Sequence, residues 1–451
     1  MKIYGQPEKS IMQAVASGDV TIAVYGLGKM GLPLATVFAD AGARVIGADI
    51  DEGVVRGINQ GICHVTGEIG LPELVELNVG ERRLSATSDL ALAAEEADVM
   101  IILVPTLLDG NKNPDMSIVR SVCRDIAKGL DPGDFVIQES TVPPRTTKDM
   151  ILPILEESGY KIGDFGVAHC PERTSSGRTI IDITGAYPKI VGGVDDASTE
   201  TARALYLTIN KKGAIAVSDA TAAESVKVFE GLYRDVNIAL ANELAVICDE
   251  LGIDAKEVFD AANTQPYSHI HAPGCGVGGH CIPVYPYFII NTVESSTDML
   301  KVARRINDGM PAYTVDMLED ALREIEVGIS GARVLILGVT YRGDVNETRF
   351  SPAIDVINEL RARGAEVSAY DPVLGGVVER FGAIPADIGS GEGIDEIDAI
   401  LIASDHTEFK MIDWDRLGRR MRHKVVVDGR GILDPVELRS RGYLYRAVGR
   451  P

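Results

Sequence analysis

Apolar residues along this chain follow two rhythms. Short, mostly apolar runs at 20–25, 44–48, 99–104, 135–139 and 166–169 alternate with longer stretches in which apolar positions recur every third or fourth residue. Buried strands separated by amphipathic helices produce that alternation, so it predicts a parallel sheet with helices on its faces. Residues 1–18 read as a short helical lead-in, and 32–41 as an apolar helix stopped by Gly42. The texture changes near Asp219. Residues 220–251 contain no proline and one interior glycine, Gly231, and predict a single long helix; a second helical region follows at 296–326. The α/β rhythm then returns, with strands at 333–338, 366–370, 399–403 and 424–427 and a helix at 352–363. The predicted domains are therefore 1–217, 218–326 and 327–451.

The turn after the first strand gives the first domain its chemistry. Gly26-Leu27-Gly28-Lys29-Met30-Gly31 is G-x-G-x-x-G, opening a helix, and the next strand ends at Asp49. Glycines there let the backbone approach a pyrophosphate, the helix N-terminus offers unpaired N–H groups, and Asp49 is placed to bind ribose hydroxyls while repelling a 2′-phosphate. The order of these features predicts an NAD site rather than an NADP site. The last domain has no such motif; its first strand leads into Gly338-Val339-Thr340-Tyr341-Arg342-Gly343, which suits a different phosphate compound or none. Arg342, Arg349 and Arg430 at strand ends would suit phosphates, although surface arginines are the cheaper explanation of each. The fold class is thus α/β, two Rossmann-like doubly wound domains joined by a long central helix and a helical middle domain.

Thr106 and the run Ser140-Thr141-Val142-Pro143-Pro144 follow predicted strand ends, where ligands gather in open α/β sheets, though turn chemistry alone also favours those residues. On the long helix, Glu224, Lys227, Gly231 and Arg234 share one face. Such a stripe is ordinarily solvated, but a mid-helix glycine costs ~1 kcal/mol against alanine and signals close approach by a ligand or another backbone. The stretch 273–287, Pro-Gly-Cys-Gly-Val-Gly-Gly-His-Cys-Ile-Pro-Val-Tyr-Pro-Tyr, is predicted to be a loop that lies against a ligand and presents the Cys281 thiol.

Composition narrows the classes. A formal charge of −22 opposes general affinity for nucleic acid or anionic membrane, and could also reflect salt adaptation. No apolar run reaches about 18 residues and the N-terminus lacks the order of a signal peptide, so a soluble cytoplasmic protein is expected. Six scattered cysteines form no disulfide framework, which agrees with a reducing compartment. A zinc site built from His269, His271, Cys275, His280 and Cys281 is disfavoured by their spacing, and no metal is expected.

Taken together, Gly26 to Gly31, Val104-Pro105-Thr106, Glu139 to Pro144, Cys170-Pro171-Glu172-Arg173, Arg234 to Glu243, the Cys281 loop, Thr348 to Pro352 and Asp428-Gly429-Arg430 resemble the UDP-glucose/GDP-mannose dehydrogenase superfamily across nearly the whole chain. Gly-Val-Gly-Gly-His-Cys-Ile-Pro looks like the branch acting on UDP-N-acetylmannosamine. The resemblance implies oxidation of carbon 6 of a UDP-sugar to a carboxylate with NAD, through a Cys281 thiohemiacetal and thioester. It implies Lys227 as the cation at the developing alkoxide, Glu172 and Thr141 handling the hydrolytic water, and Gly26, Gly28, Met30, Gly31, Asp49, Thr106, Thr141 and Arg349 at NAD. It further implies Glu172, Arg173, Lys227, Arg234, Gly278, Tyr285, Tyr341 and Arg342 at the substrate, with Arg342 meeting the diphosphate. The three domains would then bind NAD, carry the catalytic loop and a homodimer interface on the long helix, and bind UDP.

Two positions depart from the family pattern: Gly231 stands where asparagine is usual, and Tyr285 where aspartate is usual. The expectation is compensation, with Tyr285 filling the space at Gly231 and its hydroxyl or a water replacing the lost donor; the competing expectation is a larger group on the sugar. The alternatives carried forward are a UDP-glucose 6-dehydrogenase, a two-electron alcohol dehydrogenase, and a nucleotide-sugar binding protein without turnover.

Overall fold

The computed structural model describes every residue, Met1–Pro451. Contacts divide the chain into two compact units: Met1–Glu230 with Tyr287–Val293, and Gly231–Pro286 with Glu294–Pro451.

The first unit is built on an eight-stranded sheet. Its order is Ala214–Ala216, Lys189–Gly193, Gly166–His169, Phe135–Gln138, Val99–Ile102, Thr21–Tyr25, Arg44–Ala48 and Leu84–Thr87. Six strands are parallel, and the pair at the Ala214 end joins Gly166–His169 antiparallel. Period-two alternation sends successive side chains to opposite faces. Ile22 and Val24 pack with Phe38 and Val45 in one core, while Ala23 and Tyr25 pack with Met100 and Ile126 in the other. Strand order reverses beside Thr21–Tyr25, between Arg44–Ala48 and Val99–Ile102, which opens a crevice at the C-terminal strand ends.

The second unit repeats the plan with a six-stranded, all-parallel sheet. Its order is Ile384–Pro385, Glu366–Tyr370, Arg333–Leu337, Ile397–Ile402, Met421–Asp428 and Leu444–Ala447. Val334 and Ile336 join one core with the helices Asp298–Glu324 and Pro352–Ala362, and Leu335 and Leu337 join a second with Trp414 and Tyr445. The expected long helix is Ala220–Leu251, and its residues from Gly231 onward belong to this unit. Pro311 lies inside Asp298–Glu324.

Most predicted strands are present within a residue or two. Leu84–Thr87, Lys189–Gly193, Ala214–Ala216 and Leu444–Ala447 were not expected; all but Lys189–Gly193 are short, partly exposed pieces. The loop 273–287 also needs correcting at its end, because Tyr285 opens a helix, Tyr285–Ile290. Val284 and Tyr285 donate their N–H groups to the Cys281 carbonyl, so the helical turn begins directly after the cysteine. No helix is long and apolar enough to cross a membrane.

Candidate active site

In the first unit the glycine turn is fixed by backbone packing. Gly26 has φ +92°, and a Cβ there would run into the Leu103 carbonyl; a Cβ on Gly31 would run into the Gly26 carbonyl. Close folding of the turn therefore requires both. Around Gly28, by contrast, nothing lies within 4 Å of a Cβ position, so protein packing does not demand glycine there. A glycine facing open space at a helix N-terminus fits close approach by a pyrophosphate. Asp49 is half-buried and already employed: Oδ2 accepts the Leu27 N–H at 2.8 Å and Oδ1 the Asp51 N–H at 2.9 Å. A carboxylate has about four lone-pair sites, so ribose binding remains compatible with this scaffolding duty.

Several of the predicted residues are joined within this unit. The Thr106 hydroxyl donates to the Thr141 carbonyl at 2.7 Å, tying two strand-end loops together. Met30 Sδ receives the Thr174 hydroxyl at 3.1 Å, and the Thr174 N–H is donated to the Glu172 carboxylate. The glycine turn and the Glu172 segment are thus stitched side to side. Arg173 pairs with Glu230 at 2.6 Å and lies over the Tyr187 ring at 5.1 Å.

On the long helix, Glu224 and Lys227 are buried, which sets aside the solvated reading for this part of the stripe. Glu224 has a structural task that the sequence reading missed. Its Oε1 accepts the Thr147 N–H at 2.7 Å and the Thr147 hydroxyl at 2.6 Å, and its Oε2 the Arg145 N–H at 2.5 Å. Arg145 has φ +77°, so the carboxylate anchors a left-handed turn just beyond Thr141. Burial pushes the Glu224 carboxyl up to about 7 despite those three donors. Arg234, expected on the same stripe, is exposed, because it sits at the stripe's edge and Asp235 takes the buried position instead.

The second unit carries the Cys281 loop. Its N-terminal arm is pinned by two backbone donors: the Gly274 N–H to Asn242 Oδ1 at 2.9 Å, and the Cys275 N–H to the Gly429 carbonyl at 2.8 Å. Cys275 is fully buried, whereas Cys281 is partly exposed, so the loop presents the second thiol and not the first. Further along, the Gly279 N–H reaches the Arg349 carbonyl at 3.2 Å. A Cβ at Gly278 would meet Tyr341 Cβ at 2.7 Å, and one at Gly279 the Tyr341 ring at 3.0 Å. The loop therefore runs directly against the segment holding Tyr341 and Arg342.

That segment is organised by an acid, as in the first unit. Asp371 Oδ2 accepts the Val339 N–H at 2.7 Å and the Thr340 N–H at 3.0 Å, and lies 3.1 Å from Nε2 of buried His406. These partners hold the Asp371 carboxyl far below the usual range against its burial. Arg342 is exposed. Arg349 is held by Glu347, with contacts of 3.1 and 2.8 Å that raise its pKa. Arg430, offered above for a phosphate, donates Nε to the Ala403 carbonyl at 3.1 Å and Nη2 to the Tyr341 carbonyl at 3.0 Å. These two bonds brace the Tyr341 segment.

Gly231 and Tyr285, both in this unit, are in contact. A Cβ on Gly231 would overlap Tyr285 Cδ2 and come within 3.3 Å of Tyr285 Cβ and Cγ. Tyr285 is 6% exposed, so its ring fills the place left by the missing side chain. No group of three or more His, Cys, Asp or Glu side chains is arranged to hold a metal ion.

Comparison with known proteins agrees along the chain. Residues 20–210, 221–309 and 335–435 match, in order, the NAD binding domain, central domain and UDP binding domain of the UDP-glucose/GDP-mannose dehydrogenase family. The UDP-N-acetyl-D-mannosamine dehydrogenase of Pyrococcus horikoshii is 38% identical over 431 residues, covering 95% of this chain and 99% of that one. A solved structure of UDP-D-ManNAc dehydrogenase from the same organism superposes with TM-score 0.87 at 37% identity, covering 95% of this chain and 99% of that one. The NDP-N-acetyl-D-galactosaminuronic acid dehydrogenase of Methanosarcina mazei gives TM-score 0.84 at 29% identity, covering 98% of each chain.

Proposed function

Because the chain belongs to the UDP-glucose/GDP-mannose dehydrogenase family and is an NAD-dependent oxidoreductase acting on CH–OH, we propose that it oxidises carbon 6 of UDP-N-acetylmannosamine, or a close UDP-N-acetylhexosamine, to the uronic acid. The observation that carries this reading is the packing of Gly278 and Gly279 against Tyr341. It sets the thiol-bearing loop beside the segment of Arg342, so a ligand whose diphosphate meets Arg342 would lead its sugar toward Cys281.

Gly26 to Gly31, Asp49 and Thr106 would hold two NAD⁺ in succession, each accepting one hydride from carbon 6. The residues handle the rest. Lys227 stabilises the alkoxide that develops as the alcohol loses its proton. The Cys281 thiolate adds to the resulting aldehyde, forming a C–S bond and a thiohemiacetal that cannot diffuse away. Loss of the second hydride leaves a thioester. Glu172 would direct water to that carbonyl and Thr141 would help hold it; the C–S bond breaks and the thiolate is regenerated with the carboxylate. Arg173, Arg234, Tyr285 and Tyr341 complete the substrate's surroundings, and Arg349 would leave Glu347 to reach the cofactor.

In this reading residues 1–217 bind NAD, 218–326 carry the catalytic loop, and 327–451 bind UDP, in a reducing cytoplasm that agrees with six free cysteines. The exposed stripe Tyr233, Leu240, Ile247 and Leu251 on the long helix would pair with a second copy. The test is NAD⁺ reduction with UDP-N-acetylmannosamine, UDP-N-acetylglucosamine, UDP-glucose and GDP-mannose. Two NADH per UDP-N-acetylmannosamine supports the proposal; preference for UDP-glucose, or one NADH per sugar, overturns it.

A further inference from the structure

A buried polar chain connects two helices of the second unit to the Cys281 loop. Asp235 and Asn242 lie on Ala220–Leu251, and Arg304 and Asn307 on Asp298–Glu324; all four are 4% exposed or less. Arg304 Nη1 donates to Asp235 Oδ1 at 2.5 Å. Asn307 Nδ2 donates to the same Oδ1 at 2.8 Å and to the Asp235 carbonyl at 3.0 Å. Asn242 Nδ2 donates to Asn307 Oδ1 at 2.9 Å, and Asn242 Oδ1 accepts the Gly274 N–H at 2.9 Å.

The direction of each amide is dictated by the one before it. A side-chain amide carries its acceptor and its donors at opposite ends. Two acceptors at Asp235 require Asn307 to point Nδ2 toward them, which leaves its Oδ1 facing Asn242. Asn242 must then turn Nδ2 to Asn307, and its Oδ1 is left at Gly274. Were Asn242 reversed, its NH₂ would oppose the Gly274 N–H, two donors facing each other in a buried place.

We infer that Asn242 and Asn307 are positioning residues: oriented by the Asp235–Arg304 pair, they hold Gly274, and with it the arm of the loop that presents Gly278 and Cys281. Asn307 makes no hydrogen bond to the loop; its amide is bonded to Asp235 and Asn242. Its influence passes through Asn242, and this separates a relay from local packing. The inference rests on the reading of that loop as the catalytic one.

The test uses the full-length protein with Asn242→Leu, Asn307→Leu and the double variant, with Asn307→Ser as a smaller replacement should the leucine fail to fold. Hydrogen exchange of peptides covering 270–280 is measured without substrate, beside kcat and KM for UDP-N-acetylmannosamine. Each single variant is expected to speed exchange at Gly274 and lower kcat about tenfold, with little change in the KM for NAD. The double variant should be no worse than about twofold beyond either single one, because one relay broken twice is still one relay. Additive losses, or an Asn307 variant with unchanged exchange at 270–280, overturn the relay. Faster exchange in a protein whose wild type turns over no UDP-sugar would leave the relay standing and defeat the functional reading instead.

Discussion

The ring of Tyr285 stands in the space that a side chain at position 231 would need, with its Cβ and Cγ 3.3 Å from where a Cβ on Gly231 would lie. Gly231 makes room for the ring, and a larger residue at 231 cannot be introduced alone without strain. Gly231→Asn is expected to lower stability by ~1–3 kcal/mol through overpacking. Adding Tyr285→Asp should recover most of that loss, as read by chemical denaturation. A Gly231→Asn protein as stable as the parent would show that the ring moves aside freely. Full activity in Tyr285→Phe would remove the hydroxyl from any part in the chemistry.

Replacing the thiol tests the covalent step. Cys281→Ser is expected to reduce uronic acid formation by more than about a thousandfold while NAD binding is kept. Product analysis by mass spectrometry, with NADH counted per sugar, provides the measurement. Acid produced at the parent rate would rule out a thioester.

Arg342 should act on the nucleotide and not on the cofactor. Arg342→Leu removes charge-assisted hydrogen bonds to phosphate, and is expected to raise the KM for the UDP-sugar by about ten- to a hundredfold. The KM for NAD should stay within about twofold. Equal effects on both substrates would place the guanidinium elsewhere.

Glu224 gives the protein a pH signature. Burial raises its carboxyl to about 7, so the folded state keeps the proton where the unfolded chain, at the ordinary value of 4.5, has lost it. Stability contributed by this group is full at and below about pH 4.5, falls as pH rises toward 7, and levels off beyond. The change amounts to at most ~3.5 kcal/mol at about 1.4 kcal/mol per unit. Denaturation of the parent and of Glu224→Gln between pH 4.5 and 8 should give curves that differ in slope over that window. Parallel curves would mean that Glu224 ionises normally.

Much of the architecture was legible because strands and helices write their periods into the chain. The helix Ala220–Leu251 and the strands Arg44–Ala48, Gly166–His169 and Glu366–Tyr370 have the expected bounds, since long proline-free or compact apolar runs leave few alternatives. The thin strand Ala214–Ala216 was missed because it is too short to carry a period and takes its conformation from its neighbour Lys189–Gly193. The glycine turn was readable from order and spacing. What could not be read was the identity of the partners at 30 or more residues' remove. Asn242 accepting from Gly274, Glu224 anchoring Arg145, and Arg430 bracing Tyr341 are long-range pairings with no local signal. A faint one existed for the first two. Charged and amide residues at 224, 235 and 242 interrupt an otherwise apolar helical face, and a buried polar group must find a partner.

The two sheets share one wiring detail at their first turn. Asp49 takes the Leu27 N–H and Gly26 donates to the Ala48 carbonyl; Asp371 takes the Val339 N–H and Gly338 donates to the Tyr370 carbonyl. An acid after the second strand therefore carries part of the architecture in both halves, and Asp49 combines that scaffolding duty with the ribose contact expected of it. Replacing Asp49 to admit another cofactor would therefore also release the Leu27 N–H and loosen the turn, and replacing Asp371 would do the same to Val339 and Thr340.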